Sequence, residues 1–307
     1  MDPARSCASV TVRAPAKINL HLSVGHLRED GYHDLTTVFH AVGLYDEVTV
    51  ARSEALSCTV TGEGADDVPT DATNLAVRAV LALAELTGSD PGVAVTVTKG
   101  IPVAGGCAGG SADAAAALVA CDVLWGLGMS RDALAQVGAR LGSDVPFSLH
   151  GGTSLGTGRG ERLTPVLGHG PWSWVLALAD GGLSTPEVYG QLDRQRGVGP
   201  VSLASDPASV LTALRQGDPE LLGRALTNDL QSPAIALRPG LRTLLATGEE
   251  LGALGGVVSG SGPTVAFLAR DLSTAAELAA ALTEAGVCRS ARVAGGPVPG
   301  ARVTRTD

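Results

Sequence analysis

Apolar and polar residues alternate along several short stretches of this chain and recur at helical spacing along others. Residues 9–13 alternate as a strand that Ala14-Pro15 is expected to close. In the next strand, 16–24, Ile18, Leu20, Leu22 and Val24 fall on one face and Lys17, Asn19, His21 and Ser23 on the other. That polar face suits a site wall, and it also suits an ordinary solvent face. Strands are predicted over 44–50 and 93–98, with a helix over 71–87 between them. A helix after Ser111, running to about Gly126, is apolar nearly all round, which predicts burial. Another spans 130–142, after which Pro146 is expected to keep Val145 out of helix geometry and leave Asp144 at a sharp helix exit. The glycines of 151–160 predict a hairpin or bulged strand pair.

The second half changes rhythm. A strand over 174–179 precedes a helix start at Ser184-Thr185-Pro186, a loop over 195–207 and short helices over 209–215 and 219–226. Then come a helix (241–254), two strands (256–258 and 264–269), a helix (273–285) and a strand (291–294), a series that fits a split βαβ sandwich. The expected class is α+β in two parts, residues 1–165 and 166–307, with the last strands able to cross back. A site is expected in the cleft between the parts.

Composition narrows the partners. The 307 residues are 45% hydrophobic but only 3% aromatic, so the core is built mainly from Ala, Val and Leu. A net charge of −9 without any Lys/Arg run argues against nucleic acid as partner. Five scattered cysteines with no C-x-x-C pair fit a reduced, cytoplasmic protein. No signal-peptide core or membrane-length apolar run is seen, so no membrane partner is expected.

The stretch that carries chemistry is Pro102-Val-Ala-Gly-Gly-Cys-Ala-Gly-Gly-Ser-Ala-Asp. Gly105, Gly106, Gly109 and Gly110 permit close approach of backbone to ligand, and Ser111 is a candidate cap for the helix that follows. Free N–H groups at a positive helix end make a phosphate site. The same run is also compatible with a plain flexible connection into a good helix. It lacks the Gly-Lys-Ser/Thr of the common nucleotide loops and the G-x-G-x-x-G of dinucleotide folds. Cys107 is expected as a small apolar filler. Asp113 is odd, because it suits the helix dipole yet would repel a phosphate unless turned away.

Three blocks share an order and spacing. They are Pro15-Ala-Lys-Ile-Asn-Leu20 with Asp30-Gly-Tyr-His33, then residues 102–112, then Ser259-Gly-Ser-Gly-Pro-Thr264. The chain resembles the GHMP-family kinases, the galactokinase, homoserine and mevalonate group, over essentially its whole length. Within them it is most similar to the branch whose substrate is the cytidine diphosphate of methylerythritol, in non-mevalonate isoprenoid synthesis. The resemblance implies a two-domain GHMP kinase fold, with an N-terminal ribosomal-protein-S5-like α/β domain and a C-terminal ferredoxin-like split βαβ domain. It implies transfer of the γ-phosphoryl of ATP to a tertiary hydroxyl.

The roles it implies fall on named positions. Asp144 is the base and Lys17 the cation paired with it. The backbone of Pro102, Val103, Ala104, Gly105, Gly106, Cys107, Ala108, Gly109, Gly110, Ser111 and Ala112 cradles the triphosphate. Mg²⁺ rides mainly on phosphate oxygens, with Ser111 a candidate ligand and no dedicated protein metal site. Tyr32 and Tyr189 sandwich the cytosine, His33 reads its edge, and Asn19 and Thr185 contact the substrate. Ala104 and Ala108 depart from the glycines usual there and would be strained at positive φ. The alternatives are a GHMP kinase acting on mevalonate, homoserine or a sugar, and a non-catalytic nucleotide- or RNA-binding module. Tyr32-His33 argues against the first; the acidic charge and the joint presence of Lys17 and Asp144 argue against the second.

Overall fold

The computed structural model describes residues 8–197 and 206–307, so Cys7 and most of the loop expected over 195–207 lie outside the described residues. The chain opens with two long antiparallel strands, β1 (Ser9–Leu27) and β2 (His33–Arg52). They are followed by β3 (Ser57–Gly62), α1 (Leu75–Thr87), β4 (Val93–Lys99), α2 (Gly109–Trp125), α3 (Arg131–Leu141) and α4 (Val145–His150). A hairpin, β5 (Thr153–Thr157) and β6 (Arg162–Pro165), leads to β7 (Trp172–Leu178) and α5 (Thr185–Arg196). Next are α6 (Ala208–Gln216), α7 (Pro219–Ala225), the short β8 (Thr227–Asn228), α8 (Gln231–Leu237) and α9 (Gly240–Glu250). The chain closes with β9 (Gly255–Val258), β10 (Val265–Ala269), α10 (Leu272–Glu284), β11 (Ser290–Gly296) and β12 (Arg302–Thr306).

β1 does not stop at Pro15, contrary to the pattern's suggestion. Pro15 pairs with Tyr45 and Ala16 with Val42, so β2 bulges there by Gly43 and Leu44 while β1 runs on. A bulge tolerates a residue that cannot donate to the ladder. It divides the hairpin into two halves. Around the outer half, β12 adds to β1, β4 to β2, and β3 runs parallel to β4. Around the inner half, β8 adds parallel to β1, while β5 adds to β2 and carries β6.

A second bulge redirects side chains. Asn19 pairs with Phe39 and His21 with Val38, leaving Leu20 as the extra residue. Ile18 and Leu20 therefore pack in the main core, while Leu22 and Val24 enter a second core. The single apolar face expected over 16–24 is thus split between two cores.

The second sheet has the order β11-β7-β10-β9, all antiparallel, as a split βαβ unit requires. Along β7, Trp174, Leu176 and Leu178 belong to the main core and Val175 and Ala177 to the second, so this sheet is buried on both faces. The last strand, β12, returns to the first sheet. α2 is buried from Ala112 to Cys121 between the β1–β2 hairpin, α1 and α4, as its all-round apolar sequence predicts.

One charged cluster is almost wholly buried in the first part. Lys99, the last residue of β4, pairs with Asp46 of β2 and, at 2.6 Å, with Asp113 of α2. Asp46 Oδ1 also accepts from the backbone N–H groups of Gly100 and Ile101 at 2.7 and 2.8 Å. One ammonium thereby ties two strands and a helix together directly under the glycine loop. Burial pushes the Asp113 carboxyl up to about 8, Lys99 opposing this and Asp46 adding to it. Burial pulls Lys99 down, but the two carboxylates outweigh it and leave its pKa raised.

Lys99→Met would leave two buried carboxyl groups without a cation and is expected to destabilise the fold by about 3–5 kcal/mol in urea titration. A carboxyl whose folded pKa is raised contributes stability at low pH that is lost as pH rises toward that pKa. Wild-type stability is therefore expected to fall between about pH 4 and 8 relative to Asp113→Asn. Parallel pH curves for the two proteins would refute the Asp113 assignment.

Candidate active site

The glycine loop joins β4 to α2 and is pinned on both sides. Lys17 N–H donates to the Cys107 carbonyl at 3.2 Å, tying the loop to β1. Ser259 Oγ donates to the Gly106 carbonyl at 3.0 Å, and Thr264 N–H to the Gly105 carbonyl at 3.3 Å, tying it to the Ser-Gly-Ser-Gly-Pro loop. Gly106 has φ 76°, and a Cβ on it would collide with the Ser259 carbonyl oxygen. Ala104 and Ala108 occupy the left-handed region, at φ 53° and 59°. The turn at Ala108 sends the chain into α2 at Gly109, so Ala108 takes the N-cap position and Ser111 lies inside the first turn rather than capping it. With no side-chain cap there, the first N–H groups of α2 remain available to an anion.

Lys17 and Asp144 meet at the floor of a cleft of about 420 Å³, with Nζ and Oδ2 3.6 Å apart. Lys17 is held by a relay: Nζ donates to Asn19 Oδ1 at 2.8 Å, Asn19 Nδ2 to Thr37 Oγ1 at 2.8 Å, and Thr37 Oγ1 to the His21 carbonyl at 2.7 Å. Its ammonium also lies 5.6 Å from the centroid of the Phe39 ring. Asp144 has helical backbone angles (φ −86°, ψ −11°), and α4 begins at Val145 with Pro146 in its first turn. The expectation that Pro146 excludes Val145 from a helix fails because a first-turn proline forfeits no helical hydrogen bond. The Asp144 carboxylate makes no capping bond, which leaves it free to face Lys17 and the cleft.

α5 supplies the opposite wall. Thr185 and Tyr189, one turn apart, both line the cleft, and Thr185 Oγ1 lies 2.9 Å from Ser261 Oγ. The Tyr189 ring packs against His33 with centroids 5.2 Å apart, and burial, with Asp144 adding, pushes its hydroxyl pKa well up. His33 is itself buried, and its Nε2 lies 2.9 Å from Asp193 Oδ1, one further turn along α5.

Residues 74–152 match the GHMP kinases N terminal domain and residues 210–288 the GHMP kinases C terminal domain. The chain belongs to the GHMP kinases. It is 58% identical over 294 residues to a 4-diphosphocytidyl-2-C-methyl-D-erythritol kinase of Nocardia farcinica, covering 96% of each chain. It is 57% identical over 295 residues to the protein of that name from Mycobacterium tuberculosis H37Rv, covering 96% of this chain and 93% of that one. A crystal structure of 4-(cytidine 5'-diphospho)-2C-methyl-D-erythritol kinase superposes with TM-score 0.74 at 33% identity, covering 93% of this chain and 98% of that one. A homoserine kinase from Cytophaga hutchinsonii, at 21% identity and TM-score 0.79, shares the fold over 99% of both chains.

Within this GHMP kinase, the cleft gathers Lys17, Asn19, Asp144, Thr185 and Tyr189 with Pro102, Val103, Ala104, Gly105, Gly106, Ala108, Gly109 and Gly110. Cys107 and Ala112 are buried behind the loop, Cys107 as the apolar filler expected. Ser111 is half-buried and does not line the cleft, its Oγ lying toward Gly142. Tyr32 and His33 do not line the cleft: Tyr32 is 52% exposed, with the Arg159 guanidinium 4.8 Å from its ring centroid, and His33 is buried. Sequence reasoning missed Asp46, Lys99 and Asp193, and also the 67–75 segment that forms the far end of the cleft. The one available signal was Lys99, the last residue before Gly100-Ile-Pro and an ion with no apparent solvent role at the end of an apolar strand.

The loop makes two opposite predictions. Ala108→Gly removes the cost of a left-handed alanine and is expected to raise stability by about 1 kcal/mol with activity retained. Gly106→Ala forces the loop off Ser259 and is expected to abolish binding of a fluorescent ATP analogue in a protein that still folds by circular dichroism.

Proposed function

We propose that this GHMP kinase transfers the γ-phosphoryl group of ATP to the tertiary hydroxyl of 4-diphosphocytidyl-2-C-methyl-D-erythritol. The observation that carries the reading is the Lys17–Asp144 pair, 3.6 Å apart between a phosphate-shaped loop and a wall bearing Tyr189. The relatives at 56–58% identity carry the name of that activity over nearly the whole chain. The substrate lies between the lobes, which we divide near residue 165, with the last strand crossing back.

The loop fits a triphosphate. Gly105 and Gly106 bring backbone to the cleft wall without side chains, and the N–H groups of Gly109, Gly110 and Ser111 open α2 with no capping side chain. Among the described residues no cluster of three or more His, Cys, Asp or Glu is placed to hold a metal ion. Asp144 and Ser111 are the protein groups that would help hold a Mg²⁺ ion carried on the nucleotide's phosphate oxygens, and that ion would supply neutralisation of charge on the transferring group. Asp144 accepts the proton of the attacking hydroxyl and aims its oxygen at the γ-phosphorus. The O–P bond forms as the bond to the β-phosphate oxygen breaks, releasing ADP. Lys17, held by Asn19, steadies the equatorial phosphoryl oxygens as charge moves through them. The cytosine stacks on Tyr189 and Tyr32, His33 faces its edge, and Thr185 contacts the sugar or diphosphate.

ATP-dependent ADP release with Mg²⁺ tests the reading on the cytidyl substrate, mevalonate, homoserine and galactose. Turnover is expected on the first alone. Asp144→Ala should lower kcat by about 10²–10⁴-fold, and Lys17→Ala by about 10²–10³-fold, with ATP binding kept in both. Full turnover in Asp144→Ala would remove the base assignment, and turnover on another alcohol would move the substrate.

A further inference from the structure

α5 carries Thr185, Tyr189 and Asp193 at intervals of four residues, so the three stand in one row along the helix. The first two line the cleft. Asp193 does not, and none of the chemistry proposed above uses it. Its carboxylate is 45% exposed, yet one oxygen, Oδ1, sits 2.9 Å from Nε2 of His33, whose side chain is only 6% exposed. An ionised carboxylate is an acceptor only, so the atom it meets on the imidazole carries a proton. With a single proton on the ring, the lone pair lies on Nδ1, for which the described residues supply no hydrogen-bond partner. The ring is also fixed in plane, since its face packs on Tyr189 at 5.2 Å with 32° between the planes.

We infer that Asp193 is a positioning residue for base recognition, acting through His33. The inference rests on the proposed cytidyl substrate. By holding the proton on Nε2, Asp193 leaves Nδ1 as an acceptor at the Tyr189 wall. Cytosine presents an exocyclic amine, a donor, on the edge where uracil presents a carbonyl oxygen, an acceptor. An acceptor on His33 matches the first and opposes the second. The site thus selects a cytidine over a uridine diphosphate ester through a proton held at a carboxylate outside the cleft.

Steady-state kinetics on the cytidyl substrate and its uridyl counterpart test this, in wild type, Asp193→Ala, Asp193→Asn and His33→Ala. Asp193→Ala is expected to raise KM for the cytidyl substrate about tenfold and cut the preference for cytidine by a similar factor, with kcat nearly unchanged. Asp193→Asn, whose amide oxygen can still accept the Nε2 proton, should recover most of both. Nitrogen-15 spectra of histidine-labelled enzyme without substrate, with His33 assigned by its loss in His33→Ala, should show the Nε2–H tautomer. The Nδ1–H tautomer in wild type would overturn the inference without touching the kinase assignment. So would an unchanged base preference in Asp193→Ala or in His33→Ala, or a loss confined to kcat. A wild type that uses both bases equally would instead overturn the cytosine reading on which the inference stands.

Discussion

The ammonium of Lys99 holds the carboxyl groups of Asp46 and Asp113 in an almost wholly buried cluster behind the cleft wall, and the glycine loop is hung from that contact. A run with four glycines in nine residues has little shape of its own, because each glycine adds backbone freedom that folding must remove. Here the freedom is removed at both ends. Asp46 takes the N–H groups of Gly100 and Ile101 at the loop's entry, while Asp113 sits in the second turn of the helix at its exit. Lys99 joins the two carboxylates, so the distance from β4 to the start of α2 is set by one ion. The close packing makes substitution difficult, since a Cβ on Gly109 would lie 3.1 Å from Lys99 Nζ.

With its ends fixed, the loop takes its remaining shape from the other parts of the chain. β1 contributes the Lys17 N–H and the second part contributes Ser259 and Thr264. The proposed catalytic pair stands at the same crossing: Lys17 projects from β1 just past the Pro15 bulge, and Asp144 lies in the turn between α3 and α4. A second latch joins the far end of α5 to β1, where Arg196 donates to the Val24 carbonyl at 2.7 Å and to Asp229 at 2.9 Å. Asp229 in turn accepts from the Val24 N–H at 2.8 Å. The wall bearing Thr185 and Tyr189 is thereby held at a set distance from the strand bearing Lys17. The left-handed alanines, each costing about 1–2 kcal/mol, persist because these contacts from three directions determine the loop's path.

The sequence pattern was informative wherever a signal was local. The all-round apolar run of α2, the alternation of β4 and the strand–strand–helix–strand rhythm after Gly255 are written in consecutive residues, and the structure follows them. Motif order also pointed to the glycine loop, Lys17 and Asp144, which the fold brings to one cleft. What could not be read depended on a partner distant in sequence. Whether Pro15 ends a strand or marks a bulge is decided by the opposing β2. Leu22 leaves the face of Leu20 because one residue is extra relative to β2, which no periodicity within β1 records. Ser111 was the better cap by residue type, but the turn at Ala108 starts the helix earlier. Asp193 looks like any polar residue of a helix until the fold sets it against His33, 160 positions away.

A triphosphate and a protein of net charge −9 should repel, and the side chains around the cleft do little to change that. Lys99 is committed to two carboxylates, and Lys17 faces Asp144. Neither cation is surplus, and Asp67 adds a further carboxylate to the lining. Over the ~8 Å screening length at physiological salt, the distant surface charge matters less than what lies in the cleft. Attraction must therefore come from groups that carry partial charge without a counter-ion, namely the open N–H groups at the start of α2 and in the loop. Partial charges are enough for a phosphate chain that brings its own divalent cation, and they bind the bare polyanion less well. On this reasoning, with each lysine paired to an acid, the proposed nucleotide site favours a metal-bound polyphosphate over a bare one. Lys17, paired with Asp144, would then respond to charge that develops during the proposed transfer.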